Sequence, residues 1–375
     1  LPNLKLHIVS FDVPYPADYG GAIDVFYKLK NLHRAGCEIY LHCYEYGRQH
    51  STELNKYCKE VWYYPRITGI KGSSFVYPYI VYSRRDKELL KRLESIDAPI
   101  LFEGVHTTYF LQEENLTERF KAIRTHNVEH EYYKQLFDKE EKFFKKTFFA
   151  IEAALLKKYE RDLKDANAFF ALSKADDAYF AKAYPGAIHD CIPAFHPYDE
   201  VKIKTGLGDY CLYHGNLSHP ENREAAIYLL KEVFPHINST FIIAGRNPDE
   251  ELIALCNKLP NGKVITNPTE VEMTALIENA QVHVLPTFQA TGLKLKLLYA
   301  LFNGRHVLVN NEMLHGSGLE QACHIANDSR QFIEAIKRLM ELPFTDADVA
   351  NRSEILAKDY NNLANAKRLL TYLPH

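Results

Sequence analysis

At 375 residues the chain is too long for one simple core, so two domains are the natural expectation. A formal net charge of −3 gives no basic footprint, and no nucleic-acid partner is expected. The seven cysteines are odd in number and form no CxxC pair, which argues against a zinc ribbon or disulfide scaffold and for reduced thiols in the cytoplasm.

No run reaches the ~18 apolar residues of a membrane span. The opening LPNLKLHIVSF has neither the basic n-region nor the cleavage signature of a signal peptide. An apolar run over 4–11 predicts a first strand. The loop PYPADYGG and a helix over 22–35 follow it. Gly20 and Gly21 sit where the backbone turns into that helix. They do not make GxGxxG, so a dinucleotide fingerprint is absent, yet such a pair lets a ligand approach the backbone closely.

Strand-like runs recur at 38–46, 61–65, 99–105, 122–125 and 168–173, with helical patterns between most of them. This alternation predicts a doubly wound parallel sheet, in which ligands sit at the carboxyl ends of strands. Two segments end strands there with polar residues, Glu103-Gly-Val-His106 and Arg124-Thr-His-Asn-Val-Glu-His130. His126 and His130 are four apart, but HNVEH is not HExxH and no third ligand is signalled, so metal is not expected. A hydrogen-bonded structural pair is a better reading than metal, and a role for His126 or Glu129 in gripping a sugar hydroxyl is preferred to both.

The stretch from Glu131 to Ala166 predicts one long helix, with Phe143, Phe144, Phe148 and Phe149 interleaved among lysines. It reads either as a core-packed helix with outward lysines or as a basic face on an anionic membrane. Its acidic residues favour the first. A peripheral contact with the inner membrane stays as an alternative. After Ala181 prolines and glycines loosen the pattern into an interdomain linker. A second series of strands begins at Tyr210, and Ser218 is expected to cap the helix after it. Asp346-Ala-Asp348 resembles a metal-binding DxD, but helix capping is its expected job.

The most informative stretch is 282–310, VHVLPTFQATGLKLKLLYALFNGRHVLVN, a strand–helix–strand unit in which Gly304 is expected to close the helix in a left-handed conformation. Lys294 and Lys296 fall in the first helical turn, where the helix dipole makes cations unfavourable by ~0.3–1 kcal/mol each. Free N–H groups of Thr291, Gly292 and Leu293 would point the same way. Such a site suits an anion, above all a phosphate.

With those residues in view, YCLYHGNLSHPEN…FIIAGRNP…QATGLKLKLLYALFNG resembles the donor domain of the retaining, family-four glycosyltransferases (glycosyl transferases group one), in the branch written GxGxRxKxLEAxAxG. PYPADYGGAIDVFYKLKNL and RTHNVEHEYY are similar to that family's N-terminal loop and HN-x-E-H segment. The resemblance implies an α/β, GT-B architecture: two Rossmann-like doubly wound parallel-sheet domains facing a cleft. It assigns 1–190 to the acceptor side, 191–355 to the donor side, and 356–375 to a last helix crossing back.

It further implies a metal-independent hexosyl transfer with retention, from a nucleotide sugar such as a UDP- or GDP-sugar to a glycan or lipid-linked acceptor in cell-surface polysaccharide synthesis. No cofactor is implied. Gly20 and Gly21 would lie against the donor phosphates, and His106 or His126 near the donor sugar. Arg246, Lys294 and Lys296 would neutralise the diphosphate. The family's paired glutamates fall on Thr291 and Tyr299. Its Arg falls on Asn216, and its Lys near Glu221 or Asn222. These departures sustain one alternative, a non-catalytic sugar-nucleotide or glycan-binding protein on the same scaffold. An epimerase is the third reading.

Overall fold

The computed structural model describes residues 4–289 and 294–374. The chain divides into two compact units, the first made of Leu1–Pro197 with Asp359–His375 and the second of Tyr198–Lys358.

The sheet of the first unit contains β1 (Lys5–Ser10), β2 (Glu38–Glu45), β3 (Glu60–Pro65), β4 (Ile100–Glu103), β5 (Lys121–Thr125), β6 (Ala168–Ala171) and β7 (Ile188–Cys191), in spatial order 3-2-1-4-5-6-7. Every pairing is parallel. Strands buried on both faces read as unbroken apolar runs because successive side chains enter opposite cores. Ile8 and Phe170 pack with Val25, Leu29 and Leu369 on one face. Val9 and Phe169 pack with Leu89, Leu93, Leu156 and Phe180 on the other.

The helix Asn362–Thr371 supplies Ala366, Leu369 and Leu370 to the first of these cores. Polar contacts hold it there. Arg368 and the Tyr372 hydroxyl both engage the Asp190 carboxylate, and Asn362 exchanges hydrogen bonds with the His196 backbone at 2.7 and 3.2 Å.

The second unit repeats the plan with β8 (Cys211–Asn216), β9 (Phe241–Arg246), β10 (Gly262–Thr266), β11 (Val282–Val284), β12 (His306–Val309) and β13 (His324–Ile325). Their order is 10-9-8-11-12-13, again all parallel. Each sheet therefore changes direction beside its first strand, between β1 and β4 and between β8 and β11. Open α/β sheets bind ligands at that crevice.

Four local expectations are corrected. The predicted long helix breaks into Glu129–Lys139 and Phe143–Tyr159. Glu140 turns extended at the break and accepts the Lys142 amide, which lets the two helices fold back on each other. The loosened stretch after Ala181 contains β7, whose sequence IHDC carries no strand pattern. His219, not Ser218, stands at the N-cap of the helix Pro220–Tyr228. The Ser218 hydroxyl instead donates to Asn216 Oδ1 at 2.7 Å. Asp348, by contrast, does cap, accepting the Thr345 amide at 2.8 Å as the helix Asp346–Asp359 begins.

Gly304 ends its helix with φ −111°, outside the left-handed region. It must be glycine for another reason: a Cβ there would lie 2.0 Å from His283 Nε2.

Candidate active site

In the first unit, the carboxyl ends of β1, β4 and β5 bring together the residues singled out from the sequence. Phe11 follows β1. Its ring meets His126 edge-on at 5.4 Å and His106 at 5.5 Å, so one aromatic side chain separates the two imidazoles. Gly21 comes so close to this ring that a Cβ would lie 2.6 Å from Phe11 Cζ, and Gly20 opens the helix Gly20–Arg34 beside it. The Phe11 carbonyl accepts from the buried Arg84 at 3.0 and 3.1 Å. Gly104, at φ +70°, lets the chain curl so that His106 folds back over β4.

Beneath His126 lies a buried set of charges. Lys28 Nζ sits 3.0 Å from Asp24 and 2.8 Å from Glu103, and Arg124 grips Asp24 at 3.0 Å. Burial alone would raise the Asp24 carboxyl, but Arg124 and Lys28 hold it well below the usual carboxylate range. His126 Nε2 lies 3.3 Å from Glu103 and 3.8 Å from Asp24. These three side chains put possible ligand atoms within 4.8 Å of one another. Two cations already neutralise the two carboxylates, so the cluster reads as an anchor for the imidazole.

His106 is kept neutral by burial and by the nearby positive charge of Arg84. Glu129 begins its helix buried, and burial pushes its carboxyl up to about 8, against a hydrogen bond from Asn127. At neutral pH it is therefore a protonated donor. His130 pairs with Glu160 at 2.7 Å and does not share a site with His126.

In the second unit the ends of β8 and β9 approach through Gly215 and Gly245, where a Cβ on Gly245 would lie 1.8 Å from the Gly215 carbonyl oxygen. Asn216 and Arg246 follow directly. Arg246 is exposed, and its carbonyl accepts the Leu217 amide at 2.9 Å. Beyond β11, Asn310 clamps Thr287 through both of its amide atoms, at 3.0 and 2.6 Å.

Lys294 then stands at the N-cap of the helix Leu295–Asn303, with Nζ donating to the Gln289 carbonyl at 2.9 Å. Lys296 Nζ donates to Asn222 Oδ1 at 2.8 Å and lies 5.1 Å from the centre of the Tyr213 ring. Asn222 is itself fixed by donating to the Asn216 carbonyl at 2.9 Å. Burial lowers Lys296 to about 8, with Glu221 opposing and Lys294 adding to the effect. Thr291, Gly292 and Leu293 lie outside the described residues.

Tyr299 turns away from the helix start. Its hydroxyl pairs with Thr274 at 2.6 Å, and its ring stacks on Tyr198 at 5.3 Å. Phe11 and Tyr213 escape a sequence reading because each acts through a neighbour distant in the chain. The glycines at 21 and 215 are the faint signal of close approach.

Residues 208–342 match the family model described as "Glycosyl transferases group 1". That match falls within the second unit. A Klebsiella pneumoniae protein described as an uncharacterized 44.6 kDa protein in the cps region is 28% identical over 360 residues, covering 88% of this chain and 90% of that protein.

Among solved structures, trehalose-6-phosphate from E. coli bound with UDP-2-fluoro glucose superposes with a TM-score of 0.59 at 11% identity, covering 98% of each chain. Arabidopsis thaliana UGT89C1 complexed with UDP-L-rhamnose gives 0.55 at 12%, again over 98% of each chain. At such identities these likenesses establish the fold: the chain has the GT-B architecture of two Rossmann-like units. Among the described residues, no helix is long and apolar enough to cross a membrane.

Proposed function

We propose that the protein moves a sugar from a nucleoside-diphosphate donor to a glycan or lipid-linked acceptor, with retention and without a metal, in the synthesis of a cell-surface polysaccharide. One observation carries this reading: two ammonium groups stand at the start of the helix that follows β11, beside the reversal of strand order between β8 and β11, and Arg246 ends β9, the strand on the other side of β8. Fixed cations of this kind stabilise the charge that develops on a departing diphosphate, the work that a divalent ion does elsewhere. The relative from a cps region supports the polysaccharide setting. The solved relatives bound to UDP-sugars support a nucleotide-sugar donor.

In this reading Lys294, Lys296 and Arg246 hold the diphosphate, together with Asn216 and the loop 291–293. Gly20 and Gly21 give close backbone access. His126, anchored by Glu103, and His106 serve the reacting sugar, and protonated Glu129, at the start of the next helix, serves as a donor. UDP or GDP is expected to raise the melting temperature, and Lys296→Ala to abolish the rise. Turnover should persist in EDTA. If no nucleoside diphosphate shifts the melting temperature, the proposal fails.

A second reading has its own observation. Where a carboxylate would hold the ribose, Tyr299 offers only a hydroxyl already engaged by Thr274. A binding protein without turnover would show the thermal shift but no product across a panel of donors and acceptors.

A further inference from the structure

The helical pair Glu129–Lys139 and Phe143–Tyr159 is thinly attached. Glu129 is the only buried residue of the first helix, and the second buries Glu152, Leu156 and Tyr159 on one side. At 100° per residue, Phe144, Phe148 and Ile151 form a stripe that continues this buried face outward without a break. Among the described residues nothing covers it: Phe144 is 88% exposed, Phe143 76% and Ile151 54%.

A second apolar segment adjoins it. The Glu152 carboxylate accepts the Tyr79 amide at 2.8 and 3.0 Å, and the Tyr79 ring meets Phe148 edge-on at 6.2 Å. The Tyr79 hydroxyl in turn accepts the Gly69 amide at 3.1 Å, which pins the intervening loop to the same helix. That loop carries Ile70 at 94% exposure, and Phe75 and Val76 are exposed as well. Two stretches far apart in sequence thus present bare aromatic and aliphatic side chains on either side of one tyrosine. Exposed apolar side chains gathered on two adjoining segments in this way mark an interaction site.

The charge around it selects the occupant. From Lys139 to Lys158 there are six lysines against three glutamates, and Glu152 is spent on Tyr79. Lys71 lies beside Ile70. Phenylalanines amid lysines fit a surface with a negative headgroup layer over a hydrocarbon interior.

We propose that this face of the first unit docks on an anionic lipid bilayer, inserting Phe75, Phe143 and Phe144 among the acyl chains while the lysines meet the headgroups. The proposal deepens the reading of a lipid-linked acceptor, but its test is independent of the donor site. The full chain is sedimented with vesicles of phosphatidylcholine alone or with about a third phosphatidylglycerol, at low and high salt. Binding is expected only to the anionic vesicles and weakened by salt. Phe75→Ser with Phe143→Ser and Phe144→Ser should lower it about tenfold or more, as should Lys142→Glu with Lys145→Glu and Lys146→Glu.

The melting temperature of each variant, and its shift with UDP or GDP, reports separately on folding and on the donor site. Lack of sedimentation, or binding untouched by the phenylalanine substitutions, overturns the proposal. So does a self-associated state dispersed by the same substitutions, because the face would then be covered by a second copy.

Discussion

His126 Nε2 lies 3.3 Å from the Glu103 carboxylate, at the carboxyl end of a strand and above a buried lysine. One ring nitrogen is thereby tied to the protein interior, which leaves Nδ1 as the atom able to meet a substrate. His126→Ala is expected to lower kcat about 10²-fold while the affinity for a nucleoside diphosphate is unchanged. Glu103→Gln should harm folding more, because Lys28 loses one of its two buried carboxylates, at a cost of about 3 kcal/mol. Steady-state kinetics beside melting curves would separate the two. Full activity in His126→Ala removes it from the chemistry.

Lys296 gives the donor site a pH dependence. Burial lowers its ammonium to about 8 in the free protein. An incoming diphosphate requires the charged form, so binding must take up a proton above that pH. Affinity for UDP or GDP is expected to fall about tenfold per pH unit above 8 and to be flat below it. Lys296→Arg, charged throughout, should flatten the profile. Calorimetric titrations at pH 7, 8 and 9 decide, and identical slopes in the two proteins would contradict the assignment.

Glu129 should make stability depend on pH in the opposite sense to a paired carboxylate. Its folded value of about 8 lies above the value of an unfolded glutamate. Between those values the folded chain holds a proton that the unfolded chain has lost, so stability declines as pH rises and levels off above about 8. Glu129→Gln keeps the shape and removes the titration. Its melting temperature should exceed that of the parent by several degrees at pH 8 and match it near pH 4. A constant difference at both pH values would argue against a protonated Glu129.

Gly304 and His283 should be strongly coupled. A methyl group on Gly304 has no room beside the buried imidazole, and Gly304→Ala should cost about 1–3 kcal/mol. In a His283→Ala background most of that cost should vanish, as a double-mutant cycle of denaturation midpoints would reveal. Additive effects would mean that the clash is relieved elsewhere.

The parallel strands were legible because burial on both faces leaves nearly pure apolar runs such as FIIA and HVLV. The edge strand β7 was not, since only Asp190 of IHDC is buried there. The helix break at Glu140 carries neither glycine nor proline. It follows from the packing of one helix on the other, which no local pattern encodes. Lys294 and Lys296 stood out because cations at a helix start oppose the backbone dipole. The contacts of Asn222 and Tyr213 with Lys296 are not legible in the sequence, because these residues belong to a different helix and strand. The place of Gly304 in the sequence suggests a backbone turn, whereas a side chain 21 residues earlier is what forbids anything larger.

The second unit occupies one uninterrupted stretch, whereas the first is completed only by the helix Asn362–Thr371. During synthesis the ribosome therefore delivers the whole of the second unit before the piece that closes the core of the first. Until Leu369 and Leu370 emerge, the apolar surface of Val25 and Leu29 stays uncovered on the nascent chain, and the unit that begins first is the one that finishes last.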